Sequence, residues 1–475
     1  MNFEAVIGLE IHVEIKSNCK MFSAAPNAFS TEHNINVSPI DMAFPGIMPT
    51  VNKQVVIDAI RICNALHMEI DDTLYFDRKN YFYSDLPKGY QITQQFRPIG
   101  KNGYLTFDID GEEVKIEIER LHMEEDTCKQ LHLSDHTLLD YNRAGVPLCE
   151  IVSRPQIKNG LEAAKYVETI RNIVTYAEVS DGKMEEGSLR CDVNISLRPC
   201  GSKEFGTKVE IKNLNSISNV QKAIDYEMQR QSKLLLKGLP IQQETRRFDE
   251  LKKETVLMRV KTDAVDYKYF TEPNITPIKL SKEFIADAIA SCPELLDAKK
   301  KRYINEYGLS EYDANVLLSS KENAKYFENV VKNTKEYKLA ANWVTVEIAS
   351  YLNKNGISIS EFKLPSEDLA YLINQISSGK LNTKSAREIF NKVLNDGENL
   401  KKLCESLSNE TIGSEEEILK MVQEVISNNP QSVIDFKNGK DRAVGFLVGQ
   451  VMKLSKGKAN PVIVNKLVQE ELKKN

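Results

Sequence analysis

Glutamate and histidine alternate along one stretch near the start of the chain, and these residue types can bind metal ions. Residues 6–15 read Val-Ile-Gly-Leu-Glu-Ile-His-Val-Glu-Ile, which separates Glu10, His12 and Glu14 by two positions each. Side chains of a β-strand point to alternate faces, so these three would share one face and the aliphatic side chains the other. Carboxylates and imidazoles are ligands for divalent cations. The pattern predicts either an ordinary half-buried strand or a strand that carries metal ligands.

Three further stretches alternate in the same way. Residues 114–118 alternate, and the phase then slips by one residue so that His122 and Glu124 fall on the polar side. A slip of this kind predicts a β-bulge, which re-aims side chains near sites. The other two stretches are residues 189–197 and 208–212. Their polar faces carry Arg190, Asp192, Asn194, Lys208, Glu210 and Lys212. Four such strands predict an antiparallel sheet with a solvent-facing side suited to a metal-bridged phosphate.

Other acidic and basic features lie between these strands. Residues 124–126 are three adjacent carboxylates, which form either a solvated turn or a cation site. Glu150 is a single acid in an apolar run, which is costly unless the acid is paired or bound to metal. Residues 77–91 combine basic residues, tyrosines and amides, which is compatible with a ligand-lining loop or a packed turn.

Length and composition limit the class of protein. A chain of 475 residues with 28% charged residues and a net charge of −5 predicts two or three globular domains and no global attraction to nucleic acid. The eight cysteines include no Cys-x-x-Cys pair, so neither a zinc ribbon nor a disulfide framework is expected. No signal peptide or membrane span is predicted, which favours a cytoplasmic protein. P-loop, dinucleotide-binding, nucleophile-elbow and His-Glu-x-x-His motifs are missing from the sequence.

The order of patterns predicts an α+β protein. Residues 1–293 are predicted to form an antiparallel-sheet domain with helices at 53–66, 160–175 and 218–236. Helical spacing then dominates in a domain at 294–407 and in a small tail domain at 408–475.

The predicted boundary before the tail rests on local signals. Gly413 indicates a hinge, and Ser414 and Glu417 form a capping-box pattern. The tail carries a basic patch at Lys453, Lys456 and Lys458. This patch is interpreted either as a solvated helix face or as a contact for a phosphate backbone.

Long motifs along nearly the whole chain resemble one family, the B subunits of heterotrimeric aspartyl/glutamyl-tRNA amidotransferases (the GatB/GatE family). The motifs are residues 7–12 (Ile-Gly-Leu-Glu-Ile-His), 78–81 (Arg-Lys-Asn-Tyr), 86–91 (Leu-Pro-Lys-Gly-Tyr-Gln), 122–126 (His-Met-Glu-Glu-Asp), 140–148 (Asp-Tyr-Asn-Arg-Ala-Gly-Val-Pro-Leu), 184–192 (Met-Glu-Glu-Gly-Ser-Leu-Arg-Cys-Asp), 210–216 (Glu-Ile-Lys-Asn-Leu-Asn-Ser), 243–246 (Gln-Glu-Thr-Arg), 446–453 (Phe-Leu-Val-Gly-Gln-Val-Met-Lys) and 457–461 (Gly-Lys-Ala-Asn-Pro). The last two resemble a YqeY-like tail.

The resemblance implies a reaction and partners. It implies a kinase-like, cradle-shaped first domain that uses ATP and Mg²⁺ to phosphorylate the side-chain carboxylate of Glu on tRNA(Gln) or Asp on tRNA(Asn). Ammonia from a glutaminase, the family's A subunit, would then displace phosphate, and the small C subunit would complete the heterotrimer. The helical and tail domains would hold tRNA, and the substrate would be Glu-tRNA(Gln), Asp-tRNA(Asn) or both.

The resemblance also implies site residues. The expected first metal set is His12, Glu125 and Glu150, and the expected second set is Glu10, Asp192 and Glu210 with Glu125 shared. Lys79, Arg190 and Lys212 are expected to bind phosphate or the substrate carboxylate. These groups would lower the barrier to phosphoryl transfer by neutralising charge.

Two departures from the family pattern change the expectations. Many members carry four cysteines for zinc after the first strand, whereas Ser23, Ala25, Ser38 and Asp41 stand at the corresponding places here, so no zinc is expected. The usual Tyr-Phe-Pro-Glu-Pro-Asp run reads Tyr-Phe-Thr-Glu-Pro-Asn at residues 269–274, which puts a role for the usual aspartate in doubt.

Two other classes of function compete with this interpretation. Carboxylates and histidine on an open sheet would also serve a two-metal phosphohydrolase or nuclease. A non-catalytic tRNA-binding subunit would not require Glu10, His12, Asp192 and Glu210 all on polar faces. Within the family, the archaeal GatE proteins carry a large inserted domain for which this chain has no room.

Overall fold

The computed structural model describes residues 2–260, 266–408, 415–437, 442–455, 459 and 461–474. The chain divides into two compact units, Met1–Leu296 and Asp297–Asn475. The predicted first division at 293/294 stays a prediction. The predicted second division at 407/408 stays a prediction, and the expectations for Gly413, Ser414, Lys456 and Lys458 lie outside the described residues.

The first unit is mixed and begins with the predicted strand. Its strands are β1 Phe3–Glu14, β2 Glu69–Ile70, β3 Thr73–Leu74, β4 Asp77–Asn80, β5 Tyr90–Thr93, β6 Gly100–Ile109, β7 Glu112–Glu125, β8 Lys129–His132, β9 Thr137–Asp140, β10 Pro147–Ser153, β11 Leu189–Pro199, β12 Val209–Leu214, β13 Glu244–Asp249, β14 Glu254–Val260, β15 Phe270–Thr271 and β16 Ile278–Lys279. Its helices are α1 Lys53–Ala65, α2 Gly160–Tyr176, α3 Ile217–Leu236 and α4 Lys282–Ala290.

The main sheet of the described residues has nine strands in the order β14-β13-β12-β11-β1-β10-β7-β6-β2. Strand β1 is central and pairs antiparallel with β10 and β11. The predicted antiparallel arrangement has one exception, because β12 and β13 are parallel. Helix α3 connects these two strands, and such a helical crossover returns the chain in the same direction.

The alternation of β1 separates core from site. Ile7, Leu9, Ile11 and Val13 are fully buried and share one core with apolar side chains of α1, α2 and α3. The three helices begin at the side-chain caps Asn52, Asn159 and Ser216, each of which accepts a hydrogen bond from a backbone amide in the first turn. Helices therefore cover the apolar face of the sheet and leave the polar residues of β1 on the other face.

The predicted bulge lies in β7. The pairing register of β7 with β10 shifts between Val152 and Ser153, where Arg120 and Ile118 are the successive partners. The extra residue is Glu119, which is where the sequence alternation changes phase.

The polar face is less open than predicted. His122, Glu124 and Asp126 on this face are each at most 6% exposed. Strand β5 and the residues after it lie against the end of β7, since the Gln94 side chain accepts a hydrogen bond from the Met123 amide at 3.0 Å. This end of the polar face is consequently a covered site rather than a solvated turn.

The second unit is helical in its described residues. Its α-helices are α5 Leu296–Asn305, α6 Glu311–Leu317, α7 Lys321–Val331, α8 Tyr337–Asn342, α9 Ala349–Asn355, α10 Ser366–Ser377, α11 Thr383–Asp396, α12 Leu400–Ser408, α13 Glu415–Asn428, α14 Pro430–Lys437, α15 Arg442–Leu454 and α16 Pro461–Lys474. A π-helical segment spans Trp343–Ile348, and a 3₁₀ turn spans Ile359–Glu361. The last four helices share a hydrophobic core of their own. In the described part of the chain, no helix is long and apolar enough to cross a membrane.

Candidate functional site

Two histidines and two glutamates meet on the polar face where β1, β10 and β7 lie side by side. Glu150 of β10 pairs in register with His12 of β1 and with His122 of β7. Glu150 Oε2 lies 3.4 Å from His12 Nε2 and 3.1 Å from His122 Nε2. Glu124 approaches the same two rings at 3.7 and 3.6 Å. We call these four residues the histidine–carboxylate cluster.

The charges of this cluster depend on one another. Burial alone would lower the pKa of His122, but Glu150 and Glu124 outweigh it and raise the pKa to about 9. The pKa of His12 is raised in the same way, against the effect of burial and chiefly by Glu150. Burial would raise the pKa of Glu150, yet the two imidazoles hold it well below its usual range. The acid that the sequence placed alone in an apolar run is thus paired twice.

His12, Glu124 and Glu150 have the geometry of a cation site. One ligand atom from each lies within 4.8 Å of the others. An imidazole nitrogen with two carboxylate oxygens suits Mg²⁺ or Mn²⁺, which prefer oxygen ligands and tolerate imidazole. The side chain of His12 is 21% exposed, so the site keeps access from the solvent side.

The structure does not bring Glu125 to this cluster, and the expected ligand set with Glu125 stays a prediction. Glu125 follows Glu124 in β7 and therefore points to the opposite face of the sheet. Its carboxylate pairs with the ammonium of Lys88 and accepts the Ile92 amide at 3.0 Å. Glu124 occupies the position that was expected for Glu125.

A second group of carboxylates lies beside the first on the same face. Glu10 of β1 pairs in register with Asp192 of β11. Glu210 of β12 pairs with Asn194, which in turn donates a hydrogen bond to Glu10 Oε1 at 2.8 Å. The structure therefore brings together the three acids expected for a second metal. We call Glu10, Asp192 and Glu210 the acid triad.

Lys212 bridges two members of the acid triad, Asp192 and Glu210. Its Nζ lies 2.5 Å from Asp192 Oδ2 and 3.1 Å from Glu210 Oε1. Burial would lower the pKa of Lys212, but Asp192 and Glu210 raise it above its usual range. The pKa of Glu10 is raised by burial and by the neighbouring charges of Glu150 and Asp192. Because Glu150 belongs to the first group and Asp192 to the second, the two groups of acids form one electrostatic unit.

Arg190 lies at the other edge of the histidine–carboxylate cluster. It pairs in register with His12, and its guanidinium lies 2.8 Å from Asp126 Oδ2. A cavity of about 1170 Å³ opens beside it, and the lining includes Glu14, Arg143 and Arg190. His12 and Glu150 are outside that lining, so the cavity adjoins the cluster and does not enclose it.

Lys79 lies on β4 among aromatic side chains. Its ammonium is 4.9 Å from the ring centre of Tyr267 and 5.8 Å from that of Tyr81. Burial and the nearby carboxylates Asp85 and Glu124 raise the pKa of Tyr81. Glu124 therefore connects this aromatic group electrostatically to the cluster, and Lys79 lies within the same region of the domain.

Three of the four residues at the expected cysteine positions are joined by hydrogen bonds, namely Ser23, Ser38 and Asp41. Ser23 donates to Asp41 Oδ1 at 2.8 Å, and the Ser38 amide donates to Asp41 Oδ2 at 2.8 Å. Lys20 is fully buried, and its Nζ lies 3.4 Å from Asp41 Oδ2. The ion pair of Asp41 with the buried Lys20 ammonium therefore stabilises this loop. The expectation that the protein uses no zinc stays a prediction.

The positions of several residues in the site were not expected from the sequence. Glu124 and His122 were recognised on the polar side and within a motif, but neither was expected among the metal ligands. Asn194 was placed on the right face without a role. Thr245 lay inside a motif without a role, and no local signal in the sequence indicates its contact with Glu210.

Comparison with known proteins agrees with this architecture. Residues 5–286 match the model of the GatB/GatE catalytic domain, and residues 325–472 match that of the GatB domain. Among similar proteins is the B subunit of the aspartyl/glutamyl-tRNA(Asn/Gln) amidotransferase of Staphylococcus carnosus, 50% identical over 474 residues. The corresponding proteins of Lysinibacillus sphaericus and Geobacillus thermodenitrificans are 49% and 50% identical. Each alignment covers 100% of both chains.

The fold and the two matched domains define a component of an amidotransferase with a catalytic domain of its own. The chain belongs to the GatB/GatE family, the B subunits of aspartyl/glutamyl-tRNA(Asn/Gln) amidotransferases.

Proposed function

We propose that this chain catalyses the ATP- and Mg²⁺-dependent phosphorylation of the side-chain carboxylate of Glu-tRNA(Gln), and of Asp-tRNA(Asn). Amidation by ammonia would follow and give Gln-tRNA(Gln) or Asn-tRNA(Asn). The observation that carries the proposal is the pair of adjacent ligand groups on one sheet face, the histidine–carboxylate cluster and the acid triad. Full-length similarity to the B subunits of amidotransferases supports the substrate class.

The side-chain carboxylate of an amino acid is a poor electrophile because its leaving group would be oxide. Transfer of a phosphoryl group supplies a good leaving group, and phosphoryl transfer needs positioning and charge neutralisation. A bound divalent cation would supply charge neutralisation between phosphate oxygens and the protein. We assign His12, Glu124 and Glu150 as ligands of one cation, and Glu10, Asp192 and Glu210 as ligands of a second.

Three basic residues have distinct tasks in this proposal. Lys212 balances the charge of Asp192 and Glu210, which would hold the second cation, and its ammonium would be placed to bind a phosphate beside that cation. Arg190 is oriented by Asp126 beside the cluster, where its guanidinium can bind a carboxylate or phosphate with two parallel hydrogen bonds. Lys79, held over tyrosine rings, is assigned to the phosphate chain of ATP.

The proposal includes partners that supply ammonia and hold tRNA. A glutaminase partner, the A subunit of the complex, releases ammonia from glutamine, and the small C subunit completes a heterotrimer. The second unit, with its helical core at the C-terminal end, is assigned to tRNA binding. We place the enzyme in the cytoplasm because aminoacyl-tRNA is made and used there, and we assign no zinc.

His12→Ala tests the assignment in the complex assembled with the glutaminase and the small C subunit. The variant removes a cation ligand, so ATP-dependent amidation of Glu-tRNA(Gln) should fall at least roughly 100-fold while glutamine hydrolysis by the partner is retained. His67→Asn is the matched control, because His67 is an exposed histidine in a turn with φ of 54°, a conformation that asparagine tolerates. Amidation by the His12 variant near the rate of the control would contradict the proposal.

A further inference from the structure

Thr245 contacts the acid triad from a neighbouring strand. Its hydroxyl donates a hydrogen bond to Glu210 Oε2 at 2.9 Å. The two residues are direct partners in the parallel pair of β12 and β13. Thr245 is 2% exposed, so water does not compete freely for this hydroxyl. The other oxygen of Glu210 lies 3.1 Å from Lys212 Nζ. Both oxygens of this carboxylate are thereby oriented.

Strand β13 is itself fixed by a buried ionic network. Glu227 of α3 is fully buried, and its carboxylate accepts hydrogen bonds from Arg230 at 2.9 and 3.0 Å. Arg246, the residue after Thr245, has Nε 3.1 Å from Glu227 Oε1. Arg230 and Arg246 also both lie 2.9 Å from Glu244 Oε1. The residues on both sides of Thr245, Glu244 and Arg246, therefore form ion pairs with residues of α3.

A buried ionic network of this kind destabilises the folded state if one of its charged partners is missing. Removal of one partner from a buried ion pair leaves an uncompensated charge, which is strongly destabilising. Glu227 has further donors in Gln231, at 3.0 Å, and in the hydroxyl of Thr255. These contacts around the Glu227 carboxylate hold β13 in one register and leave the Thr245 side chain in one place relative to β12.

We infer that Thr245 is a positioning residue for the second cation, fixing the orientation of Glu210 so that the acid triad is preorganised. The inference rests on the proposed function, which assigns the triad to a cation. Ligand carboxylates are usually oriented by outer hydrogen bonds, and loss of such a bond costs roughly 10- to 100-fold in metal affinity. No step of the reaction is assigned to Thr245 itself.

The alternative is that Thr245 only stabilises the sheet edge. Thr245→Val keeps the shape and removes the hydroxyl, and Thr245→Ser restores the hydroxyl. Thr334→Val is the matched control, because it removes a 7% exposed hydroxyl that belongs to the second unit and is part of neither the acid triad nor the network around Glu227. The Thr334 hydroxyl donates a hydrogen bond to Asn374 at 2.7 Å and accepts one from the Glu336 amide at 3.2 Å. A stabilising role alone would make the two valine variants equivalent.

The experiment is titration of the full chain, assembled with its partner subunits, with Mn²⁺ followed by electron paramagnetic resonance, together with thermal unfolding. Thr245→Val should raise the dissociation constant of one class of bound Mn²⁺ about 10-fold and leave the other class unchanged. Thr245→Ser should return it to within about 3-fold of wild type. Thr334→Val should lower the unfolding temperature with Mn²⁺ affinity unchanged.

The outcomes separate this inference from the proposed function. Wild-type complex that binds no Mn²⁺ on this sheet would overturn the assigned cation sites, and the inference with them. Wild-type binding with equal affinity in Thr245→Val would overturn the inference alone. Equal losses of Mn²⁺ affinity in the two valine variants would also overturn it, because Thr245 would then act through general stability.

Discussion

Glu150 and His122 face each other across neighbouring strands, with 3.1 Å between carboxylate Oε2 and imidazole Nε2. The pair is largely buried, with side-chain exposures of 13% and 7%. An acid with this little contact with water needs a positive partner. In the structure the two histidines supply the positive charge that Glu150 needs. In the proposed reaction a bound cation would supply part of that charge.

Exchange of glutamate for glutamine at positions 124 and 125 should give two different results. Glu124→Gln removes a proposed cation ligand, so Mn²⁺ affinity and ATP-dependent amidation should both fall by at least roughly 10-fold. Glu125→Gln weakens the pair with Lys88 on the other face, so it should cost about 2 kcal/mol of stability. Its Mn²⁺ affinity should stay within about 3-fold of wild type.

Metal titration and denaturant unfolding of both variants check this pair of expectations. Wild-type chain and the His67→Asn control provide the baselines. A loss of Mn²⁺ affinity in the Glu125 variant, with the Glu124 variant unaffected, would restore the ligand set expected from family resemblance and refute the one assigned from the geometry.

Glu14 should make stability depend on pH. Burial, with the nearby charge of Asp126, raises the pKa of Glu14 from 4.5 to about 7. Ionisation of Glu14 is therefore disfavoured in the folded state. The resulting destabilisation is nearly absent at pH values below the pKa of Glu14 in the unfolded chain, and it is complete above its pKa in the folded protein. Glu14→Gln should stabilise the protein by about 2 kcal/mol near pH ~8, allowing for partial exposure, and by almost nothing near pH ~4.

Denaturant unfolding of wild type and Glu14→Gln at these two pH values measures this difference. Arg190 and Arg143 act against the shift while Asp126 and Asp181 act with it, so the expected gain depends chiefly on the burial of Glu14. A gain that is the same at both ends of the pH range would show that Glu14 does not titrate in this window.

The buried pair of Lys20 and Asp41 should be important for stability. Asp41→Asn leaves the ammonium of Lys20, which is 0% exposed, without its carboxylate, and should cost about 3–5 kcal/mol. Adding Lys20→Met should recover part of that loss because the unpaired charge disappears. Asp135→Asn is the control, since Asp135 is 79% exposed and its pair with His136 is solvated.

Unfolding free energies of the single and double variants test this coupling. If Lys20→Met worsened the Asp41 variant by its full independent effect, the two side chains would not be coupled and the assigned pair would be wrong.

Local pattern was sufficient to predict part of this fold. The alternation of residues 6–15 identified the central strand β1 and its polar face, and the phase slip identified the bulge at Glu119 in β7. The same alternation placed His122 and Glu124 on the polar face. The assignment of Glu125 followed family resemblance instead, whereas the alternation of the strand places Glu124 beside His12 and Glu150.

The remaining parts depend on contacts between distant residues. Lys212 and Asp192, and Thr245 and Glu210, meet because strands pair in a particular register, which periodicity does not reveal. The parallel pairing of β13 depends on the crossover of α3. The burial of residues 124–126 depends on β5, a four-residue strand whose pattern is too short to predict its position.

ATP hydrolysis by the assembled complex tests the central claim most directly. The assay compares reactions with and without Glu-tRNA(Gln), first with Mg²⁺ and then with EDTA. The proposed function predicts hydrolysis that requires both the mischarged tRNA and the cation and is lost in Glu124→Gln. Cation-dependent cleavage of tRNA or of a phosphoester without ATP would contradict it and favour a phosphohydrolase.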